Sequence, residues 1–416
     1  MIENREDYAE VLKNILHDGL SFSAVKNEFK EKSFANMLFM TAFRNLTFIK
    51  TEVLPLFVKK KIPQKQNILE FILYLGITEI LFMNTPDYAI INSYVDVAKS
   101  KTDKFGANFV NAVLRNVLRK KDELLKNRKT KYFSKKFLEI LKQDYKAQEI
   151  EDMEKYANIE PMLDITTKHN IDQSIYNDAT LLPSGSVRFA ANTIVENIAG
   201  FANGDWWVQD VSSSLCVKSL SNLKGKKVLD LCAAPGGKTA QLLDAGAIVT
   251  AVDISETRLN KLKENIERLR LESNLKIICS DILDLTLDEK FDIVLLDAPC
   301  SATGTFRRHP EIINTKTLSD IKKLASLQEK LLIKASSFVK QNGILLYSTC
   351  SLSKKEGELQ IKNFIKNNDN YKILPINLSG INNSITKEGF IRVLPQHFDD
   401  FLGADGFFIA SLQRKN

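Results

Sequence analysis

Two stretches of this chain, VLLDAPCSATG at residues 294–304 and ILLYSTCSLSK at residues 344–354, share one plan: an apolar run stops at a cysteine followed by serine. Apolar runs of this length read as buried strands, so Cys300 and Cys350 each fall just past a strand end. Two thiols in matching positions suit a reaction that first makes and then breaks a covalent bond. Carbon 5 of cytosine poses such a problem. It is a poor nucleophile until a thiolate adds to carbon 6. Once carbon 5 has taken a methyl group, its proton must leave and the thiolate must be expelled. Cys216, Cys232 and Cys279 read instead as small hydrophobes.

A methyl donor would need its own site on the same rim. DLCAAPGGKTAQL, from Asp230, reads as a strand that breaks into a loop, where Gly236 and Gly237 open a helix. Glycine lets the backbone approach a ligand, and a helix N-terminus offers free N–H donors. A phosphate-binding loop of the GxxxxGK[ST] type would need glycine at position 232, where Cys232 stands, and the GxGxxG spacing is absent. Asp253 ends the next apolar run, 17 residues beyond Gly236, and an acid at that spacing fits the two hydroxyls of a ribose. A ribose-type acid without a phosphate pattern suits S-adenosylmethionine. Asp281 and Asp297 end the third and fourth runs. A lone strand-end Asp is often only a cap, but three in register point to a site.

The elements that must position these groups follow from periodicity. KKVLDLCA, AIVTAVDI, LKIICSDI, FDIVLLDAP and GILLYSTCS alternate with helical stretches, which predicts a mostly parallel, doubly wound α/β sheet over residues 208–416. Ligands of such sheets bind beyond the carboxyl ends of the strands. Residues 1–128 show helical spacing throughout, as in YAEVLKNIL and FGANFVNAVLRNVLRK, with Pro63 and Pro86 at helix starts. Residues 129–207 read as a basic linker and a small α/β subdomain.

Length and composition agree: 416 residues call for two or three domains, and 44% apolar with 26% charged residues fits globular cores. Five cysteines without CxxC spacing and four scattered histidines argue against disulfides and a metal, and for a cytoplasmic location. The N-terminus is charged from Glu3, so no secretory signal is expected. The most apolar stretch, ILEFILYLGITEILFM, carries Glu70 and Glu79 and falls short of a membrane span. Arg119 to Lys136 holds nine Lys/Arg against Asp122 and Glu123, a run that is either a solvated surface or a footprint for a phosphate backbone.

The motifs DLCAAPGGKT, LLDAPCSATGTFRRHPEI, YSTCSLSKKEGE and RVLPQHFDDFLGADGFFIA, in this order, closely resemble the RNA (cytosine-5)-methyltransferases over about residues 205–416. That resemblance implies a Rossmann-like methyltransferase domain with Cys350 as nucleophile and Cys300 helping to resolve the adduct. It implies that Asp297 contacts the cytosine ring and that Lys238 belongs to the active-site floor. S-adenosylmethionine would then be held by Cys232, Ala233, Ala234, Pro235, Gly236, Gly237, Lys238, Asp253, Asp281 and Asp297. PDYAIINSYVDVAK followed by FGANFVNAVLRNVLRK is similar to the NusB-type RNA-binding fold. Together the two resemble the bacterial 16S ribosomal RNA methyltransferases of the RsmB type. The expected partner is 16S ribosomal RNA, free or in a partly assembled small subunit, with no membrane and with the protein a monomer. One departure stands out: Ile313 and Asn314 replace a Lys-Trp pair frequent after RRHPEI, which puts base contacts there in doubt. Two rivals remain. A DNA cytosine methyltransferase would use the Pro-Cys thiol and would not require Cys350. A non-catalytic RNA-binding or antitermination factor would not require the thiols at all.

Overall fold

The computed structural model describes every residue except 1, 3, 130 and 170. Glu3, where the charged N-terminus begins, therefore lies outside the described residues. The chain packs as two compact units, one of residues 1–139 with 309–317, the other of residues 140–308 with 318–416.

The first unit is helical. Helix Ile68–Phe82 is buried on nearly all sides, as its apolar sequence demands, and packs with helices Arg5–His17, Lys32–Phe48, Asp87–Lys101 and Lys104–Arg119. A charged residue inside it needs a partner. Glu79, fully buried, accepts from Arg5 at 2.8 and 2.9 Å and from the Tyr94 hydroxyl at 2.6 Å. Pro86 immediately precedes its helix, whereas Pro63 precedes only a short 3₁₀ turn. The basic run divides. Arg128 lies over the rings of Phe48, Phe82 and Tyr132 at 5.0, 5.3 and 5.0 Å, while Lys126, Lys129, Lys131, Lys135 and Lys136 are exposed.

The second unit begins with helices Lys135–Leu141 (its last residues) and Ala147–Glu154, then forms a four-stranded antiparallel sheet from β1 (Leu163–Thr167), β2 (Thr180–Leu181), β3 (Val187–Phe189) and β4 (Trp206–Val208). Asp164 of β1 stands opposite Arg188 of β3, and the two form a buried two-pronged ion pair at 2.6 and 2.7 Å. The main sheet has eight strands. β5 (Lys227–Leu231), β6 (Ile248–Asp253), β7 (Leu275–Cys279), β8 (Phe291–Asp297) and β9 (Val339–Thr349) run parallel in the order β7-β6-β5-β8-β9. β10 (Tyr371–Ile373), β11 (Ile391–Val393) and β12 (Phe407–Arg414) complete it, with β12 antiparallel to β9. Helices Gly237–Asp244, Glu256–Arg268 and Leu318–Ser336 connect the parallel strands. This is the expected α/β class, and strand order reverses between β5 and β8.

Candidate active site

The reversal opens a crevice at the carboxyl ends of β5 and β8. A cavity of about 300 Å³ lies there, lined by Asp230, the loop Cys232–Pro235, Gly237, Lys238, Asp297 and Cys350. A larger cavity of about 1220 Å³, beside β1 and lined by His169, Trp207 and Lys218, holds no thiol and no carboxyl end of the parallel ladder. Size therefore does not mark the chemical centre.

The loop after β5 turns sharply. Cys232 has φ +59° and Gly236 φ +102°, and a Cβ on Gly236 would sit 2.7 Å from Leu262 Cγ, so glycine is required there twice over. Gly237 is different. It opens helix Gly237–Asp244, its φ is not left-handed, and a Cβ would meet only Gln209, at 3.6 Å. The protein itself permits a side chain at this position on the cavity wall, and a bound ligand is what would exclude one. Asp230 Oδ2 accepts from Thr239 at 2.6 Å, while its Oδ1 is buried without a hydrogen-bond partner. Burial pushes this carboxyl up to about 7. The cradle at Gly237 and the orphaned oxygen of Asp230 fit a cationic, nucleoside-like methyl donor. Sequence reading missed Asp230, although an acid inside the apolar run KKVLDL was the available signal.

Asp253 ends β6 and is buried. Its carboxylate accepts from the amides of Ala234 and Ser255 at 3.2 and 3.0 Å and pairs with Arg258 at 3.4 Å. It thus holds the glycine loop from below. Asp281 stands two residues past β7, where its Oδ1 caps the amide of Leu283 at 2.8 Å. Neither acid is among the residues lining the 300 Å³ cavity.

Lys238 and Asp297 meet across the crevice. The Lys238 ammonium donates to Asp297 Oδ2 at 2.8 Å and to Ser213 at 2.9 Å, and lies 5.2 Å from the centre of the Phe407 ring. Burial works to lower its pKa, but the surrounding acidic groups, Asp297 first among them, together outweigh it and hold the ammonium above the usual lysine value. Ser348 fixes the other oxygen of Asp297 at 2.8 Å, a cross-strand contact that follows from the pairing of Asp297 on β8 with Ser348 on β9.

The same pairing brings the thiols together. β8 and β9 are parallel neighbours, and Cys350 and Cys300 follow their carboxyl ends by one and three residues. Their sulfurs stand 3.4 Å apart. Contact with Cys350, then burial, then the negative charge of Glu356 push the Cys300 thiol well above its ordinary value, so Cys300 keeps its proton. Burial also pushes Cys216 up to about 12 and raises Cys232, in keeping with inert thiols. Cys279 is exposed, against the interior position expected of it. β7 is an edge strand of the sheet, which leaves its end near solvent.

FRRHPEI is split between roles. Arg308 ties Asp405 to Asp210 at 2.9 and 2.8 Å, both acids lining the cavity. Ile313 is fully buried in the helical unit and its carbonyl accepts from Ser134. Its apolar character is therefore a packing requirement. Among the described residues no group of three or more His, Cys, Asp or Glu could hold a metal ion, and no helix is long and apolar enough to cross a membrane.

Comparison with known proteins shows the family and the fold. The family described as 16S rRNA methyltransferase RsmB/F matches residues 217–413, and the NusB family matches residues 2–119. The ribosomal RNA small subunit methyltransferase B of Yersinia pseudotuberculosis is 31% identical over 437 aligned residues, which cover 98% of this chain and 97% of that protein; the Yersinia pestis protein gives the same values. Among solved structures, PH0851 matches with TM-score 0.72 and 24% identity over 92% of this chain and 90% of its own. NSun6 from Pyrococcus horikoshii, solved with SFG, matches with TM-score 0.60 and 22% identity over 68% of this chain and 99% of its own.

Proposed function

The chain belongs to the RsmB/F family of 16S rRNA methyltransferases, and from that premise we propose that it methylates carbon 5 of a cytidine in 16S ribosomal RNA through a covalent adduct with Cys350. The observation that carries this reading is the 3.4 Å separation of the Cys300 and Cys350 sulfurs beside the crevice. Oxygen or nitrogen methylation would have no use for a pair of thiols.

S-adenosylmethionine, when bound, supplies an electrophilic methyl group. The loop Cys232–Gly237 and the N–H groups opening helix Gly237–Asp244 form its cradle, with Asp253 and Asp281 reserved for the nucleoside end and Asp230 for the cationic end. Cys350 forms a C–S bond to carbon 6 of the cytosine, and the electron pair moves into the ring. Asp297 orients the base, and the Lys238 ammonium offsets the charge that develops on it. With carbon 5 methylated, a water molecule takes its proton, the C–H electron pair restores the C5–C6 double bond, and the C–S bond breaks with its pair on the departing Cys350 thiolate. Cys300, which holds its proton, stands within reach of that sulfur and assists the release. The substrate is the RNA, either free or within a partly assembled small subunit.

The test is to offer the purified protein labelled methyl donor with 16S RNA or with duplex DNA, and to digest the products to nucleosides. Label in 5-methylcytidine from the RNA alone is expected. Label in DNA, or in another nucleoside, would overturn the reading.

A further inference from the structure

The repeated cysteine-serine pair has a second half. Ser301 and Ser351, the residues that follow the two thiols, both donate to one oxygen of Glu356, at 2.5 and 2.6 Å. Its other oxygen accepts from the Ser301 amide and from Gln328, each at 2.9 Å. Glu356 is fully buried, and the four donors match the acceptor capacity of one carboxylate. We propose that Glu356 is a positioning residue of the two-thiol centre: by gripping the residue after each cysteine it holds Cys300 and Cys350 at contact distance. This inference rests on the reaction proposed above.

The arrangement is specific in a way that a stabilising contact need not be. A buried acid is costly to desolvate, and an apolar group of the same volume is often at least as stabilising. Here the acid reaches across from the turn Lys354–Glu356 to two loops that follow different strands. Gln328, on helix Leu318–Ser336, also donates to the Pro299 carbonyl at 2.9 Å, so one side chain ties the helix to both the carboxylate and the Pro-Cys loop. The Tyr347 hydroxyl fixes Glu356 from its backbone side at 2.8 Å. The negative charge of Glu356 is also one of the influences that keep Cys300 protonated.

The test compares the full-length parent with Glu356→Gln and with the milder Ser351→Ala. Phenylarsine oxide bridges two adjacent thiols, each S–H becoming S–As while the arsenic-bound oxygen leaves as water. Capture therefore reads thiol geometry without RNA or methyl donor. Glu356→Gln should capture the arsenical at least tenfold more slowly and should turn over about 100-fold more slowly, as expected for misplacement near 1 Å. Cofactor affinity by calorimetry should stay within twofold, and Ser351→Ala should fall between the parent and Glu356→Gln. Parental capture in both variants, or parallel loss of capture and cofactor binding, would overturn the positioning role. Slower capture by the variants of a parent that methylates no RNA cytidine would support the clamp and refute the reaction.

Discussion

At the residue scale, two sulfurs at 3.4 Å cannot both carry charge cheaply, and contact with Cys350 together with burial raises the Cys300 thiol well above its ordinary value. Removing Cys300 should thus spare attack and methyl transfer but slow release. Cys300→Ala is expected to accumulate covalent protein–RNA complex on ordinary RNA, visible as a shifted band on a denaturing gel. A variant that neither traps RNA nor methylates it would assign Cys300 another role. Asp253 is the second case. A hydrogen bond to a charged group contributes roughly 1.5–3 kcal/mol, so Asp253→Ala should weaken S-adenosylmethionine binding by about one to two powers of ten. Since Asp253 also holds the Ala234 amide, part of that loss comes through the loop. Calorimetry with unchanged affinity would remove it from the site. The positions of the thiols, Asp253 and Asp297 were legible because each lies at or just past the end of a recognisable apolar run, whereas Lys238, inside helix Gly237–Asp244, came only with the family resemblance. Glu356 was not, because SKKEGE reads as solvated charge until β9 and the turn after it fold.

At the element scale, the central parallel strands β5, β6, β8 and β9 were legible because strands buried on both faces are continuous apolar runs. The two- and three-residue strands β2, β3, β10 and β11 are too short for periodicity to register. Segment Pro395–Phe401, before β12, belongs to the same group. Within it His397 Nδ1 lies 2.9 Å from the Ser384 hydroxyl and accepts from the Leu394 amide at 3.4 Å, and burial pushes its pKa down to about 4. The folded imidazole is therefore neutral where the unfolded one, near 6.5, has begun to take up a proton. Stability from this group is complete above pH 6.5 and is lost as pH falls towards 4, by up to about 3 kcal/mol. Urea unfolding of His397→Gln should show a smaller loss between pH 7.5 and 4.5 than the parent. Equal losses would place the acid sensitivity elsewhere.

At the scale of the whole molecule, the helical region and the doubly wound region were both legible from their periods. The assignment of residues 309–317 to the helical unit was not, since that segment is distant in sequence from the helices it packs with. Deleting the helical unit would also strip the cover from this segment, so charge neutralisation is the cleaner probe of RNA binding. Arg128 is committed to its aromatic neighbours, which leaves the exposed Lys126, Lys129, Lys131, Lys135 and Lys136 for phosphate. Replacing these five lysines by glutamine should reduce the slope of log affinity against log salt by about 0.7 for each single-strand phosphate left without its lysine, with cofactor affinity unchanged. An unchanged slope would make the run an ordinary solvated surface.

The central claim, that Cys350 makes the bond to the base, meets its most direct test in RNA carrying 5-fluorocytidine. Fluorine at carbon 5 cannot leave as the proton does, so the adduct persists after methyl transfer. Incubated with this RNA and S-adenosylmethionine, the parent and Cys300→Ala should both give a denaturation-resistant protein–RNA complex, and Cys350→Ala should give none. A complex that survives in Cys350→Ala and disappears in Cys300→Ala would contradict the account and make Cys300 the nucleophile.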